Sequence, residues 1–293
     1  MERGRIIKGI SSFYYVKIEN GKIIECRARG KFRKNNITPV VGDRVLVDLI
    51  DEEHGTIEEI EPRKSMLIRP VVANVDQTIV IFSLKNPDIS FTLLDKLLIS
   101  IEHNNLDAII CLNKSDLDVE GIFDKVKSIY ENIGYRVIKT NGKTGEGIED
   151  LKEALKGRIS VFAGPSGVGK STISNRLQDK VKMETGDVSK KISRGKHTTR
   201  HAELIEVEKD TYIVDTPGFS SLDLSFIKPE ELQHVFKEFQ EYIGGCKFTS
   251  CLHFKENSCI IKDKVEEGII PVERYNAYVD ILQELQQNRR IMR

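Results

Sequence analysis

Gly164-Pro165-Ser166-Gly167-Val168-Gly169-Lys170-Ser171 is a complete G-x-x-x-x-G-K-[ST] loop, and the fold is decided there. Arg158 to Ala163, just upstream, alternates apolar residues as a short strand does, and Thr172-Ile173-Ser174-Asn175-Arg176-Leu177 downstream begins a helix. A glycine loop at a strand-to-helix turn lets clustered backbone N–H groups and a helix N-terminus hold phosphates. Gly164 and Gly169 permit the tight turn, and Pro165, Ser166, Gly167 and Val168 complete the cradle. Lys170 is expected against the β and γ phosphates, Ser171 with its hydroxyl on Mg²⁺, and Thr172 beside them in the first helical turn.

Upstream, Asp107-Ala108-Ile109-Ile110-Cys111-Leu112 is an apolar run bounded by polar residues, as expected of a strand buried on both faces of a parallel sheet. Asn113-Lys114-Ser115-Asp116 follows it, at the carboxyl end where open α/β sheets bind ligands. Asp116 can accept from guanine N1–H and the exocyclic amine, and a site built to pair polar groups rejects an analogue that lacks them. Alone, a polar loop after a strand is an ordinary turn; beside the phosphate loop it reads as guanine recognition. GTP-binding domains usually place N-K-x-D after the phosphate loop. Here it comes first, so the chain reads as a circularly permuted GTPase domain.

A further strand, Tyr135-Arg136-Val137-Ile138-Lys139, runs into Thr140-Asn141-Gly142-Lys143-Thr144-Gly145-Glu146-Gly147. GTPases usually carry Ser-Ala-Lys here, with a backbone N–H toward guanine O6. Asn141-Gly142-Lys143 keeps a small central residue, and a plain glycine-rich linker is the competing reading.

Thr211-Tyr212-Ile213-Val214 reads as a strand leading into Asp215-Thr216-Pro217-Gly218, where the Asp reaches Mg²⁺ through water and the Gly218 N–H can swing onto the γ phosphate. Phe219 stands where many GTPases place a water-orienting Gln, and an apolar ring cannot do that work. Gly195-Lys196-His197-Thr198-Thr199-Arg200 lies where the first switch belongs. Thr199, with Thr198 as the alternative, is expected to complete the Mg²⁺ shell. His197 is either the group that orients the water or an exposed loop histidine.

Three of the five cysteines fall in Cys246-x4-Cys251-x-His253-x5-Cys259. Three thiols and an imidazole so closely spaced favour one tetrahedral Zn²⁺ over disulfides, and four protein ligands make that ion structural. Cys26 and Cys111 stand apart, Cys111 as a core residue.

The 293 residues suggest about two domains on length alone, and balanced charges, 45 basic and 45 acidic, exclude a global polycation. The N-terminus lacks a signal-peptide core and no apolar run is long enough for a bilayer, so a soluble cytoplasmic protein without membrane contact is expected. Phe13 to Ile18, an Asn20-Gly21 hairpin turn, Lys22 to Cys26 and Val40 to Asp48 read as short strands that close into a small β-barrel, of which the oligonucleotide-binding barrel is one form. Arg27, Arg29, Lys31, Arg33 and Lys34 around Phe32 suit RNA phosphates plus one stacking ring, against the reading of a solvated surface. Helical spacing is expected for Leu232, Val235, Phe236 and Phe239 after Pro229, and for Tyr275, Tyr278, Val279, Leu282 and Leu285.

With the permuted motif order, the β-rich N-terminus, Asp215-Thr216-Pro217-Gly218-Phe219 and the Cys/His cluster, the chain resembles the RsgA family of small ribosomal subunit biogenesis GTPases along essentially its whole length. The resemblance implies an oligonucleotide-binding barrel over residues 1–69, a permuted P-loop α/β GTPase over 70–225 and a mostly helical zinc domain over 226–293. It also implies binding of GTP and GDP, action on the maturing small (30S) ribosomal subunit and its rRNA, and hydrolysis that the subunit stimulates and that gates release; a monomer is expected, although the sequence itself does not give the oligomeric state. A switch histidine is implicated in hydrolysis in the family, which favours the catalytic reading of His197. The rival classes are a nucleotide-independent RNA-binding scaffold and an ATP-dependent kinase. Intact Lys170, Ser171 and Asp215 oppose the first, and Asp116 the second.

Overall fold

Alternating burial along the first strands shows how the chain begins to close on itself. In the computed structural model, β1 (Glu2–Ile10), β2 (Phe13–Ile18) and β3 (Ile23–Ala28) form an antiparallel meander, with Asn20-Gly21 at the hairpin turn between β2 and β3. The short helix α1 (Gly30–Lys34) leads to β4 (Arg44–Leu49) and β5 (His54–Ile60). β4 pairs with both β5 and β1, and β3 runs parallel to β5, so the order 1-2-3-5-4 closes back on β1. This is a five-stranded barrel of the oligonucleotide-binding kind. Ile6, Val16, Ile24, Cys26, Val45, Val47 and Ile57, at 0 to 1% exposure, fill it. The structure describes residues 1–34, 37–68, 70–185, 202–219, 224 and 226–291, with backbone alone at 33–34, 179–185, 215–219 and 290–291.

A two-stranded ribbon, β6 (Met66–Ile68) with β7 (Val71–Ala73), precedes the α/β part. There β8 (Gln77–Ser83), α2 (Phe91–His103), β9 (Asp107–Asn113), α3 (Ile122–Glu131), β10 (Arg136–Lys139), α4 (Ile148–Leu155), β11 (Ile159–Ala163) and α5 (Lys170–Thr185) alternate. β8 and β11 are buried at every position, as strands covered on both faces must be. β12 (Glu203–Glu208) and β13 (Thr211–Phe219) follow, and then α6 (Ile260–Glu266) and α7 (Val272–Ile291).

The chain forms two compact units, Met1–Ile79 with Gly142–Ala163 and Lys170–Phe219, and Val80–Asn141 with Gly164–Gly169 and Ser220–Arg293. In the first, β11 lies parallel to β13, β13 antiparallel to β12, and β12 meets β1 at Glu203 opposite Lys8. A Lys8–Glu203 ion pair at 2.8 Å and a Lys17–Glu206 pair fasten this junction between barrel and α/β strands. In the second unit β10 runs parallel to β9, with Arg136 opposite Ile109. Its other core gathers Leu232, Phe236 and Phe239 with Tyr278, Ile281, Leu282 and Leu285 of α7 and Ile99 of α2.

The expected helix at Leu232 to Phe239 is not formed. Leu232–Val235 and Lys237–Phe239 are separate 3₁₀ turns, broken at Phe236, whose backbone is extended (φ −95°, ψ 108°). The break lets both Phe rings reach Tyr278, at centroid distances of 5.2 and 4.9 Å. The i, i+3 repeat of a 3₁₀ turn satisfies the same apolar spacing over such short runs.

Candidate functional site: phosphate and base loops and a metal cluster

Residues 164–169 leave β11 in a path that only glycine can follow at two points. Gly164 has φ +133°, and a Cβ there would lie 2.0 Å from the Ile81 carbonyl oxygen. Gly169 has φ +99°, and its Cβ would lie 2.2 Å from Asn113 Nδ2. The contacts bring the loop against β8 and the end of β9, and any larger residue would lift it away. α5 begins at Lys170, so the loop ends on a helix N-terminus with its first N–H groups uncommitted to helical bonds. Burial lowers the Lys170 ammonium from its ordinary value. Ser171 and Thr172 are exposed on the first turn.

The base-side motif touches this loop directly. Asn113 Nδ2 donates to the Val168 carbonyl at 2.8 Å, so the first residue of N-K-x-D holds the penultimate carbonyl before Lys170. Thr140 Oγ1 donates to Asn113 Oδ1 at 3.4 Å, and the Ser115 N–H donates to the Thr140 carbonyl at 3.1 Å. Lys114 adopts a left-handed backbone (φ 63°), and its ammonium donates to the Asn86 carbonyl. Asp116 is exposed, with Oδ1 accepting from Asn141 Nδ2 at 2.7 Å while Asn141 is buried. Asn141 is thereby more than linker: its side chain holds the carboxylate that the sequence assigns to guanine. Gly142, in the first unit, abuts Thr172 of α5. Sequence reasoning missed Thr140 and Ile81, the first because a hydroxyl beside a motif has no motif of its own, the second because its contribution is a backbone carbonyl.

Asp215 and Gly218 lie on β13, whose backbone strand continues through Phe219. The ladder to β11 is interrupted there: Val161 faces Val214, yet Ala163 faces Phe219. The extra residues on β13 are those of Asp215-Thr216-Pro217-Gly218, where proline removes a ladder donor. His197, Thr198 and Thr199 lie outside the described residues.

On the barrel, Arg27 and Lys31 are exposed, and Arg27 lies over the Phe13 ring at 4.6 Å. Arg29 pairs with Glu58 at 2.6 Å. Phe32 is only 6% exposed, which corrects its expected use as a stacking ring: it is the apolar residue of α1 and turns inward. Arg33 and Lys34 continue that helix.

Cys246, Cys251, His253 and Cys259 converge as the spacing predicts, their ligand atoms all within 4.8 Å of one another. His253 Nδ1 lies 3.5, 3.4 and 3.3 Å from the sulfurs of Cys246, Cys251 and Cys259, and the Cys246 and Cys259 sulfurs are 3.9 Å apart. A tetrahedron with metal–sulfur bonds of ~2.3 Å and a metal–nitrogen bond of ~2.0 Å has edges of about 3.8 and 3.5 Å, so these residues could hold one metal ion and fit zinc. Burial pushes the Cys251 thiol up to about 12, raises the Cys259 thiol and lowers the His253 imidazole, so the surroundings of these groups disfavour their charged forms. The backbone is held from α7: Tyr275 and Tyr278 donate to the carbonyls of His253 and Leu252 at 2.9 and 3.0 Å. Glu256 accepts from the Leu252 and Phe254 N–H groups, both at 3.0 Å.

A phosphate loop clamped by an N-K-x-D segment that precedes it in the chain defines a circularly permuted P-loop GTPase. The chain belongs to the RsgA GTPase family, whose model matches residues 60–225, and the RsgA N-terminal domain model matches residues 3–57. It is 50% identical over 289 residues to the small ribosomal subunit biogenesis GTPase RsgA of Clostridium botulinum, covering 98% of this chain and 99% of that one. Identity to the protein of that name from Caldanaerobacter subterraneus subsp. tengcongensis is 47% over 292 residues, 99% and 98% of the two chains. Among solved structures, YloQ, described as a circularly permuted GTPase, aligns with TM-score 0.83 at 38% identity over 98% of this chain and 96% of its own. YjeQ from Thermotoga maritima aligns with TM-score 0.83 at 40% identity, over 97% and 98%. The protein is a GTPase, a hydrolase acting on GTP. No helix among the described residues is long and apolar enough to cross a membrane.

Proposed function

We propose that this GTPase assists maturation of the small (30S) ribosomal subunit in the cytoplasm, binding rRNA, acting as a monomer, and using hydrolysis of GTP to GDP to gate its release. The observation that carries the nucleotide half is the bond from Asn113 to the Val168 carbonyl, which makes base recognition and phosphate binding one mechanical unit. The ribosomal half is supported by relatives named for small-subunit biogenesis that match this chain end to end. Its domains are residues 1–69 for RNA, 70–225 for GTP and 226–293 for zinc.

In this reading Asp116 accepts from the guanine edge, Asn141 holds Asp116, Gly142 offers its N–H toward O6, and Lys114 and Ser115 shape the loop around the base. The N–H groups of residues 164–169 and of Lys170 to Thr172 surround the phosphates, with the Lys170 ammonium against the β and γ groups. Ser171, Asp215 and Thr199, with Thr198 the alternative, would hold the Mg²⁺ that accompanies GTP and screens its charge. Gly218 contacts the γ phosphate through its N–H, and His197 orients the attacking water in place of the Gln that Phe219 replaces. Little covalent work falls to the protein, because phosphoryl transfer is accelerated mainly by positioning and charge stabilisation. Arg27, Arg29 and Lys31, with Arg33 and Lys34, face rRNA phosphates, and the zinc is structural. The test is the GTPase rate with and without purified small and large subunits. Stimulation by the small subunit alone is expected; an unchanged rate would overturn the ribosomal gating.

A further inference from the structure

The imidazole of His253 has two edges, and only one faces the sulfurs. Nδ1 points at the three thiols, and Nε2 lies 2.9 Å from Gln233 Oε1. Gln233 Nε2 in turn donates to the Glu230 carbonyl at 3.1 Å. That second bond fixes the amide's orientation, because a flipped amide would set its oxygen against the Glu230 carbonyl oxygen. Gln233 Oε1 carries no proton, so His253 Nε2 must donate to it. A neutral imidazole has one N–H, and with that proton on Nε2 the Nδ1 lone pair is left for a metal. The ring is also packed by Phe239, edge-on at 6.0 Å, but packing alone cannot choose a tautomer.

We infer that Gln233 is a positioning residue of the metal centre: it sets the His253 tautomer and fastens the 3₁₀ turn Leu232–Val235 to the metal. This rests on the metal reading of the Cys/His cluster. The turn precedes Cys246 in the chain, so metal occupancy and the placement of the turn are linked through this hydrogen bond, beside the apolar packing of Leu232 in the same core as Cys251 and Cys259. The ion pairs just before the turn do not involve the cluster: Arg289 pairs with Glu230 at 3.2 Å, and Lys228 with Glu231 at 3.2 Å.

The experiment uses the full chain loaded with zinc, compared with Gln233→Leu, which removes the acceptor at similar volume, and Gln233→Glu, which keeps it. Zinc affinity is measured by competition with a chromophoric chelator. The His253 tautomer is read from ring-nitrogen chemical shifts in the wild-type chain, a measurement that needs no variant to fold. Expected are an Nε2-protonated ring, affinity weakened by about 10- to 100-fold in Gln233→Leu, and recovery to near the wild-type value in Gln233→Glu. Faster hydrogen exchange at residues 228–239 should follow zinc removal from wild type and be present already in zinc-loaded Gln233→Leu. Wild-type affinity in Gln233→Leu, or a ring protonated on Nδ1 in the loaded protein, overturns the inference alone. A wild-type chain that takes up no zinc overturns the metal reading and this inference with it.

Discussion

The base and phosphate loops and the Cys/His cluster both bring distant residues together, yet their supports come from opposite sources. Around the nucleotide loops the supporting groups are motif residues themselves or lie one residue away: Asn113 holds Val168, Thr140 holds Asn113, and Asn141 holds Asp116. Around the cluster the ligands are local but their supports are remote. Gln233, Tyr275 and Tyr278 come from a 3₁₀ turn and from α7, and α7 is itself anchored by Arg274, 1% exposed, to Asp95 and Glu238. A site of the first kind is preorganised by its own backbone; one of the second kind depends on its ion and on tertiary packing.

Metal removal should therefore give the largest effect and separate the two regions most sharply. Structural zinc contributes an apparent ~10–16 kcal/mol in small zinc-dependent peptides. Chelation is expected to raise hydrogen exchange between Cys246 and Tyr278 by on the order of 100-fold or more, while GTP affinity changes less than about threefold. Loss of GTP binding on chelation would break the comparison, because the nucleotide loops would then lean on the ion as well.

Arg274→Met comes next. Burial alone would lower this guanidinium, but the carboxylates of Asp95 and Glu238 outweigh it and keep it charged. Tyr130 also donates to Asp95, at 2.6 Å, so removing the cation strands two buried acids and a hydroxyl. A loss of about 3–5 kcal/mol in chemical denaturation is expected. Stability within 1 kcal/mol of wild type, or about that, would mean that the acids take up protons at little cost.

Gly164→Ala tests the other side. The added Cβ meets the Ile81 carbonyl at 2.0 Å, and that neighbour is backbone with no rotamer to yield. Strain of about 3 kcal/mol corresponds to roughly 100-fold in GTP affinity. Zinc content should stay at one ion per chain, measured on the same sample.

These contrasts also decide what could be read from the amino acids alone. The phosphate loop, the strand before it and the helix after it, the Asn20-Gly21 hairpin and the Cys/His spacing were legible because each is a contiguous pattern tied to one backbone geometry. The closure of β4 onto β1, with Glu2 opposite Val47, was legible only as a general tendency of short strands to form a barrel. Leu232 to Phe239 misled because its spacing suits a helix and two 3₁₀ turns equally, and the aromatic packing around Tyr278 makes the choice. Phe32 misled because a ring among cations looks like a stacking platform until its burial is known. Gln233 left no trace: a glutamine earns its role from the atom opposite, and that atom is on His253.

The smallest expected effect is the most discriminating, since it asks whether a nucleotide-side support behaves as a support at all. Asn141 is buried and donates to Oδ1 of Asp116, itself an exposed residue. Asn141→Ala removes a bond to a charged group, worth about 1.5 kcal/mol, and so predicts roughly a 10-fold rise in the dissociation constant for GTP. ATP, which lacks the paired donors Asp116 would recognise, should bind the variant as weakly as it binds the wild type. Equal weakening of both nucleotides would place the role of Asn141 in the loop's general shape and not in base recognition. No change for either would show that the bonds from Ser115 to Thr140 and from Asn113 to Val168 hold Asp116 without help. In that case the base loop is the more backbone-governed of the two regions by a wider margin than the contacts around Asp116 suggest.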